Sequence, residues 1–266
     1  MIKPMRFLTF LFLLVVIGCG GGTMTQPPVA FNAPPLSGSF SFIGTSQNSN
    51  TTTIFVGGAL QRDSSGQVSG TMGITTNPNV TTCFPAGSNA AFSGTINGQG
   101  QLMLTSAPVA GQVITLNATV SSDGNFFSKA AYSVAGGCLG GDQGGVFASH
   151  LLNGTYTGSF FAGGSLVNVS VNFGQPGMPS ATGTFPIAAG ATFTNTASCG
   201  GFSSAGTEGA QSGLAVGFTL ASNVAGTSLT FSGTSIDSSG TMFSGSVAIV
   251  GGPCDTTQAA ITLKKT

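Results

Sequence analysis

The chain has very few charged side chains and no tryptophan. Its 266 residues include 6 Lys and Arg against 6 Asp and Glu, so that only 5% are charged, whereas soluble globular domains average about 25%. Binding to nucleic-acid phosphates or to anionic lipid surfaces needs clustered Lys and Arg. The composition therefore excludes a nucleic-acid partner and a polybasic membrane contact.

Titratable side chains suited to catalysis are also scarce. The single histidine, His150, has no acid or nucleophile near it in the sequence, and acid–base catalysis needs a positioned partner. We expect it to be a surface or strand-end residue. Carboxylates such as Asp63 and Asp123 stand in Ser- and Gly-rich turns, where Asp is favoured for local backbone hydrogen bonds. We therefore expect no catalytic residue and no enzyme, with a hydrolase of unrecognised site as the third alternative.

The sequence lacks the motifs that usually form metal and cofactor sites. There is no Cys-x-x-Cys pair and no histidine cluster, so we expect no zinc site. The glycine-rich segment 136–145 has no basic residue of the kind that phosphate loops carry, and calcium loops of the Gly-Gly-x-Gly-x-Asp type need tandem copies. We expect this segment to bind no cofactor. We expect it to form a hairpin loop that a disulfide holds in place.

The N-terminal segment has the pattern of an export signal. Lys3 and Arg6 precede an apolar run from Phe7 to Ile17 that only Thr9 interrupts. The run is shorter than the about 20 residues that a membrane-spanning helix needs. We predict a signal peptide over residues 1–18.

The four residues Val16-Ile17-Gly18-Cys19 resemble the lipobox of bacterial lipoprotein precursors. The resemblance implies cleavage before Cys19, acylation of that cysteine and stable anchoring by two or three acyl chains. Gly20 stands where an aspartate would imply retention at the inner membrane, so the implied location is the outer membrane, on its periplasmic or surface face. Residues 19–35 are rich in Gly and Pro, and we expect them to be a flexible tether. The alternative is an ordinary signal with a chance cysteine.

The remainder of the chain contains an internal duplication. Adding 116 to a position in the first half gives a similar residue in the second half, as in the pairs Leu36 and Leu152, Phe40 and Tyr156, Cys83 and Cys199, Gly124 and Gly240, Phe127 and Phe243, and Cys138 and Cys254. We predict two related domains, 36–151 and 152–266. Charged residues have no charged counterpart 116 positions away. The two units therefore share the residues that build the fold, but no charged residues that could form a common catalytic site.

The cysteines after Cys19 predict two disulfides. Cys83 and Cys138 are 55 residues apart, as are Cys199 and Cys254. An even number of cysteines in an exported chain indicates disulfides. If the ancestral unit was self-sufficient, each unit pairs its own two cysteines. We also expect residues 152–266 to fold when expressed alone.

Short alternating apolar runs separated by Gly, Ser, Asn and Asp predict an all-β fold. The first unit has about eight such runs, beginning with residues 39–44 and ending with residues 144–150. Sequential hairpins form a meander, which closes into a small barrel or a sandwich. We therefore predict two tandem antiparallel meander units, with one continuous sheet or barrel as the alternative.

The unit openings Gly38-Ser-Phe40 and Gly154-Thr-Tyr156 look somewhat like those of avidin and lipocalin barrels, although the tryptophan of those families is missing. As a whole, the body resembles Gly/Ser/Thr-rich tandem-repeat surface lipoproteins. We expect an exported lipoprotein with a structural, adhesive or binding role, partnered by the membrane through Cys19 and by a surface partner. The runner-up is a carrier that encloses a small apolar ligand in its barrels.

Overall fold

The first half of the protein is a closed antiparallel barrel of eight strands in sequence order. The computed structural model describes residues 32–175, 177–194, 204–223, 226–235, 239–252 and 254–266. The strands of the first barrel are β1 (Ser37–Ser46), β2 (Thr52–Arg62), β3 (Gln67–Thr76), β4 (Asn89–Ile96), β5 (Gln101–Ser106), β6 (Val113–Val120), β7 (Phe127–Ala135) and β8 (Gln143–His150). The β1–β8 ladder closes the barrel, with Phe40 opposite His150.

The second half forms a separate antiparallel sheet of nine strands that is closed or nearly closed into a barrel. Its strands are β9 (Gly154–Ala162), β10 (Ser165–Gly174), β11 (Phe185–Pro186), β12 (Ala188–Thr194), β13 (Ser204–Ser212), β14 (Ala215–Ser222), β15 (Ser228–Ser235), β16 (Met242–Val250) and β17 (Thr256–Lys265). Their order is β11-β13-β14-β15-β16-β17-β9-β10-β12. The predicted all-β fold of two tandem antiparallel units is confirmed.

The alternation of apolar and polar residues decides which side chains face the interior. In β6, Ile114, Leu116, Ala118 and Val120 are buried while the residues between them are exposed or half-buried, as expected for a strand with one face on a core. The turn after β6 uses Gly124 at φ 78°, a left-handed conformation that glycine adopts without steric cost. All eight strand segments predicted for the first unit are strands in the structure.

Bulky side chains fill both interiors. Phe40 in the first barrel is fully buried and packs edge-on against Phe127, with ring centroids 5.4 Å apart. In the second sheet Phe218 is stacked on Phe231 at 4.7 Å and meets Phe173 edge-on at 5.1 Å. Each aromatic ring buries a large apolar area, and such pairs add about 0.5–1.5 kcal/mol beyond area burial. The two cores are therefore packed with side chains.

The residues that precede β1 close the lower end of the first barrel, where the β2–β3, β4–β5 and β6–β7 turns lie. Ala33 and Leu36 belong to the buried core cluster, and the Arg62 guanidinium donates to the Ala33 carbonyl. The backbone of Gly124 lies against Pro35 so closely that a Cβ there would be 1.9 Å from the Pro35 carbonyl oxygen. Residues 33–35, which the sequence analysis assigned to the flexible tether, are thus packed on the barrel because their apolar side chains cover its end.

The shift of 116 relates strands as well as residues. Advanced by 116, seven strands of the first barrel overlap strands of the second sheet over most of their length. They are β1, β2, β4, β5, β6, β7 and β8, and their counterparts are β9, β10, β13, β14, β15, β16 and β17. Leu152 repeats the role of Leu36, since it is buried in the second core immediately before β9. The second sheet differs where β3 is replaced by β11 and β12, which pair with β13 and β10, respectively.

Loops at the lower end of the second sheet pack on the outer wall of the first barrel. Residues 53–58 of β2 are all buried, so both faces of this strand are covered. A Cβ on Gly57 would lie 2.2 Å from Cε1 of Phe185, and one on Gly73 would lie 3.0 Å from Cα of Met178. Ser149 in β8 donates to the Gly213 carbonyl of the second sheet at 3.5 Å. The glycines of the wall therefore let loops of the second sheet approach the first barrel closely.

Candidate functional site

The upper end of the first barrel, opposite the packed lower end, carries a surface cleft of about 370 Å³. The β1–β2 turn, the β3–β4 loop over 77–88 and the β7–β8 loop over 136–142 surround it. Its polar lining consists of Ser46, Asn48, Ser49, Thr53, Thr81 and Asp142, and its apolar lining includes Val80 and Leu139. We call this region the mouth cleft. Barrel mouths are a common place for small-molecule sites.

A carboxylate with two hydroxyl donors lies at the floor of the mouth cleft. The Asp142 Oδ1 atom accepts a hydrogen bond from Ser46 Oγ at 2.6 Å, and Oδ2 accepts one from the Tyr132 hydroxyl at 2.7 Å. Ser46 Oγ also accepts the Asn48 backbone N–H at 3.1 Å. Ser46 and Tyr132 are buried, whereas Asp142 is half-buried. These bonds hold the carboxylate in one orientation at the cleft surface.

The Tyr132 phenol is a hydrogen-bond donor in this network. Burial, followed by the hydrogen bond and the negative charge of Asp142, raises the pKa of Tyr132 well above its ordinary value. These three effects act in the same direction because each disfavours the phenolate. The phenol therefore stays protonated at physiological pH and donates continuously to the carboxylate.

A disulfide and a buried glutamine hold the surrounding loops together. Cys83 and Cys138 are bonded, with their Cα atoms 5.6 Å apart. Beneath them, Gln112 is fully buried, donates from Nε2 to the Cys83 carbonyl at 3.3 Å and accepts the Leu139 N–H at 2.9 Å. The β3–β4 and β7–β8 loops are thus joined both covalently and through one amide side chain. The predicted pairing of Cys83 with Cys138 and the disulfide-pinned hairpin loop are confirmed.

The other predicted site cysteines divide into two cases. Cys19 and Cys199 lie outside the described residues. Cys254 is described, and it is buried in the second core cluster. The lipidation of Cys19 and the pairing of Cys199 with Cys254 therefore stay predictions.

His150 ends β8 at the junction between the two barrels, as predicted for a strand-end residue. Its imidazole packs on the Phe40 ring, with centroids 4.4 Å apart. Gly240 of the second sheet approaches it so closely that a Cβ there would lie 3.2 Å from the His150 Cβ. The Gln211 side chain donates to the His150 carbonyl at 3.0 Å. The residue contributes to the packing of the barrel ends.

Asp63 and Asp123 occupy turns, as predicted. Asp63 Oδ1 accepts the N–H groups of Ser65 at 2.8 Å and Gln67 at 2.9 Å, together with the Ser65 hydroxyl at 2.7 Å. Asp123 accepts from the Ser121 hydroxyl and from the Asn125 N–H. These donors lower the pKa of both carboxyl groups, with the Ser65 and Ser121 hydroxyls as the largest causes. Both carboxylates therefore stabilise hairpin turns.

Sequence reasoning missed Ser46, Tyr132 and Gln112. Tyr132 is one of two tyrosines and occupies an inward position of a strand, where a hydroxyl needs a hydrogen-bond partner. Asp142 lies in the glycine-rich segment 136–145, and local sequence does not identify its partner because Ser46 is 96 residues away. The one sequence feature that could have indicated this network is Tyr132, a polar residue at an inward position of a strand whose other inward residues are apolar.

Comparison with family models, curated proteins and solved structures finds no match for this chain. Within the described ranges, no group of three or more His, Cys, Asp or Glu residues is arranged to hold a metal ion. Over the same part of the chain, no helix combines the length and hydrophobicity required to cross a bilayer. The inferences below therefore stand on the sequence and on the geometry of the described residues.

Proposed function

We propose that this protein is an exported, non-enzymatic lipoprotein of the bacterial outer membrane that binds a partner through the mouth of its first barrel. The observation that carries the proposal is the Cys83–Cys138 disulfide at the rim of the mouth cleft. Structural disulfides persist in oxidising compartments outside the cytoplasm. The disulfide supports export, in agreement with the signal pattern and the lipobox at Val16–Cys19.

A structural role accounts for Asp63, Asp123 and His150 better than catalysis does. Asp63 and Asp123 bond their own turns, and His150 packs on an aromatic ring at the barrel junction. A catalytic site requires a base positioned on a nucleophile or a substrate proton. These side chains serve the architecture instead.

The runner-up role, a carrier with an apolar ligand enclosed in its barrels, conflicts with the packing of the interiors. Large side chains such as Phe40, Phe92 and Phe231 point inward and are fully buried. An eight-stranded barrel has room either for its own side chains or for one small ligand. Binding at the open mouth, with the core left intact, is compatible with this packing.

The lipid anchor is tested by replacing its cysteine. We expect Cys19→Ala to accumulate as uncleaved precursor without radiolabelled palmitate, because the acylated residue and its cleavage point are lost. Thr23→Ala, four residues downstream, is the matched control and should be processed and labelled like the wild type. Normal cleavage and palmitate incorporation in Cys19→Ala would refute the lipoprotein assignment.

The location within the envelope is tested at the next residue. Gly20→Asp should move the protein from the outer-membrane fraction to the inner-membrane fraction of a density gradient, since the resemblance assigns retention to an aspartate after the lipidated cysteine. Gly20→Ser, which adds no charge, should stay in the outer membrane. An unchanged distribution of Gly20→Asp would contradict sorting by this residue.

A further inference from the structure

The polar network under the mouth cleft belongs to one of the two related barrels. Strand β9, which corresponds to β1, buries Ala162 at the position 116 residues after Ser46. In β16, which corresponds to β7, the residue 116 positions after Tyr132 is the half-buried Ala248. The first barrel buries Ser46 and Tyr132, both bonded to Asp142. Burying polar groups costs stability unless they are hydrogen-bonded, and both hydroxyls are bonded to the same carboxylate. At the position that corresponds to Ser46, the second sheet has an alanine instead.

The network leaves a negative charge facing the cleft. Asp142 is the only charged residue among the described residues that line it. A carboxylate has about four lone-pair sites, and Ser46 and Tyr132 use one on each oxygen. Acceptor capacity remains on the half-buried side chain, and its orientation is already fixed. The electrostatics of the cleft thus favour a cation that donates hydrogen bonds.

The remaining lining adds an apolar contact beside the carboxylate. Val80, which is 43% exposed, and Leu139 lie in the same cleft as Asp142. The cleft has a volume of about 370 Å³ and is open to solvent. Its lining suits a short aliphatic chain that ends in an ammonium group and stays partly exposed.

We propose that the mouth cleft binds a protonated primary amine on a short alkyl chain, with its ammonium on Asp142 and its methylenes on Val80 and Leu139. The proposal rests on the binding role proposed above and gives it a ligand chemistry. A free alkylamine and the lysine side chain of a partner protein both present this group.

The binding test uses purified full-length protein and equilibrium dialysis against radiolabelled pentylamine at low ionic strength. We expect saturable binding of pentylamine and at least tenfold weaker binding of pentanol, which has the same chain without the charge. Asp142→Asn should weaken pentylamine binding at least tenfold. Asp255→Asn, which removes one carboxylate from a turn of the second sheet, is the charge-matched control and should bind like the wild type.

A second variant keeps the test decisive if Asp142→Asn fails to fold. Ser49→Lys places a positive charge on an exposed turn residue of the cleft rim and should weaken pentylamine binding several-fold. Ser93→Lys, on the exposed face of β4, adds the same charge away from the cleft and should leave binding unchanged. Absence of pentylamine binding, equal binding of pentanol, or equal effects of the two lysine variants would overturn the proposal.

The source of the amine is distinguished by a competitor. Nα-acetyl-lysine methylamide carries the same ammonium on a peptide-like backbone. If it displaces pentylamine at a tenfold lower concentration than unlabelled pentylamine does, the cleft is a site for a lysine side chain. If pentylamine is the better competitor, the cleft is a site for free alkylamines. The processing of Cys19 is measured separately, so failure of amine binding and failure of anchoring are distinguishable.

Discussion

Replacing Gly57 tests whether the two barrels are packed together as one unit. A Cβ at this position would lie 2.2 Å from Cε1 of Phe185 and 2.7 Å from the Gly177 carbonyl oxygen. Both neighbours belong to the second half, and Phe185 is fully buried. Because a backbone oxygen and a buried ring cannot move aside at low cost, Gly57→Ala overpacks the junction. Overpacking of this kind costs about 1–3 kcal/mol.

Thermal unfolding of the full-length protein measures this cost. In chains of about 150–250 residues, 1 kcal/mol corresponds to about 2–4 °C in Tm, so Gly57→Ala should melt several degrees below the wild type. Gly145→Ala in β8 is the matched control, since no atom lies within 4 Å of its Cβ and its φ is not positive. It should melt at or slightly above the wild-type temperature, because replacing a strand glycine by alanine gains about 0.5–1 kcal/mol.

A double variant distinguishes the junction from a local effect on β2. Phe185→Leu replaces the ring that faces Gly57 with a smaller side chain. Combined with Gly57→Ala, it should recover part of the lost stability. Coupling energies between contacting residues are about 0.5–3 kcal/mol, whereas independent sites are additive within a few tenths. Additive losses, or a Gly57→Ala protein as stable as the Gly145→Ala protein, would show that the second half does not rest on this wall in solution.

Three further outcomes follow from the fold and its turns. Reduction of the Cys83–Cys138 disulfide should lower the unfolding free energy by about 2–5 kcal/mol in denaturant titrations; an unchanged midpoint after verified reduction would contradict a stabilising role. Ser65→Ala should raise the pKa of Asp63 towards its ordinary value of 3.8 in an NMR titration. Because a lowered folded-state pKa stabilises the native state above the unfolded value, the wild type should lose this contribution as the pH falls through the folded pKa, and an unshifted titration in the variant would refute the assignment. Residues 152–266 alone should fold, since their ladders are internal, but should melt below the full chain because the wall of the first barrel no longer covers their loops; an unfolded fragment would reject independent domains.

Strands such as β4, β5 and β6 were predictable because they alternate between a core face and a solvent face. In β6 the inward residues follow a strict period of two, and the turn beyond it carries Asp123-Gly124. Such local patterns predict a strand without information about distant residues. For this reason all eight segments predicted as strands from the sequence are strands in the structure.

The junction and the mouth cleft depend on residues that are distant in the sequence. The run Ile54-Phe55-Val56 breaks the alternation in β2, and the structure shows the cause, since both faces of the strand are covered. Taken alone, this run predicts an ordinary strand, and nothing in its local sequence indicates a partner in the second half. Similarly, Asp142 meets Tyr132 across a hairpin but Ser46 only through barrel closure. Pairings that arise from closure cannot be obtained from local periodicity.

The eight antiparallel strands of the first barrel return the chain to the end at which it entered. The Leu151 N–H donates to the Ser39 carbonyl at 2.9 Å, so the exit from the first barrel lies beside its entrance. The two ends of the second sheet also adjoin, because the Thr266 N–H donates to the Thr155 carbonyl at 3.0 Å. Units with adjoining ends can be copied, permuted circularly or joined in series without a long connecting segment. The architecture is therefore suited to growth by gene duplication, one whole barrel at a time.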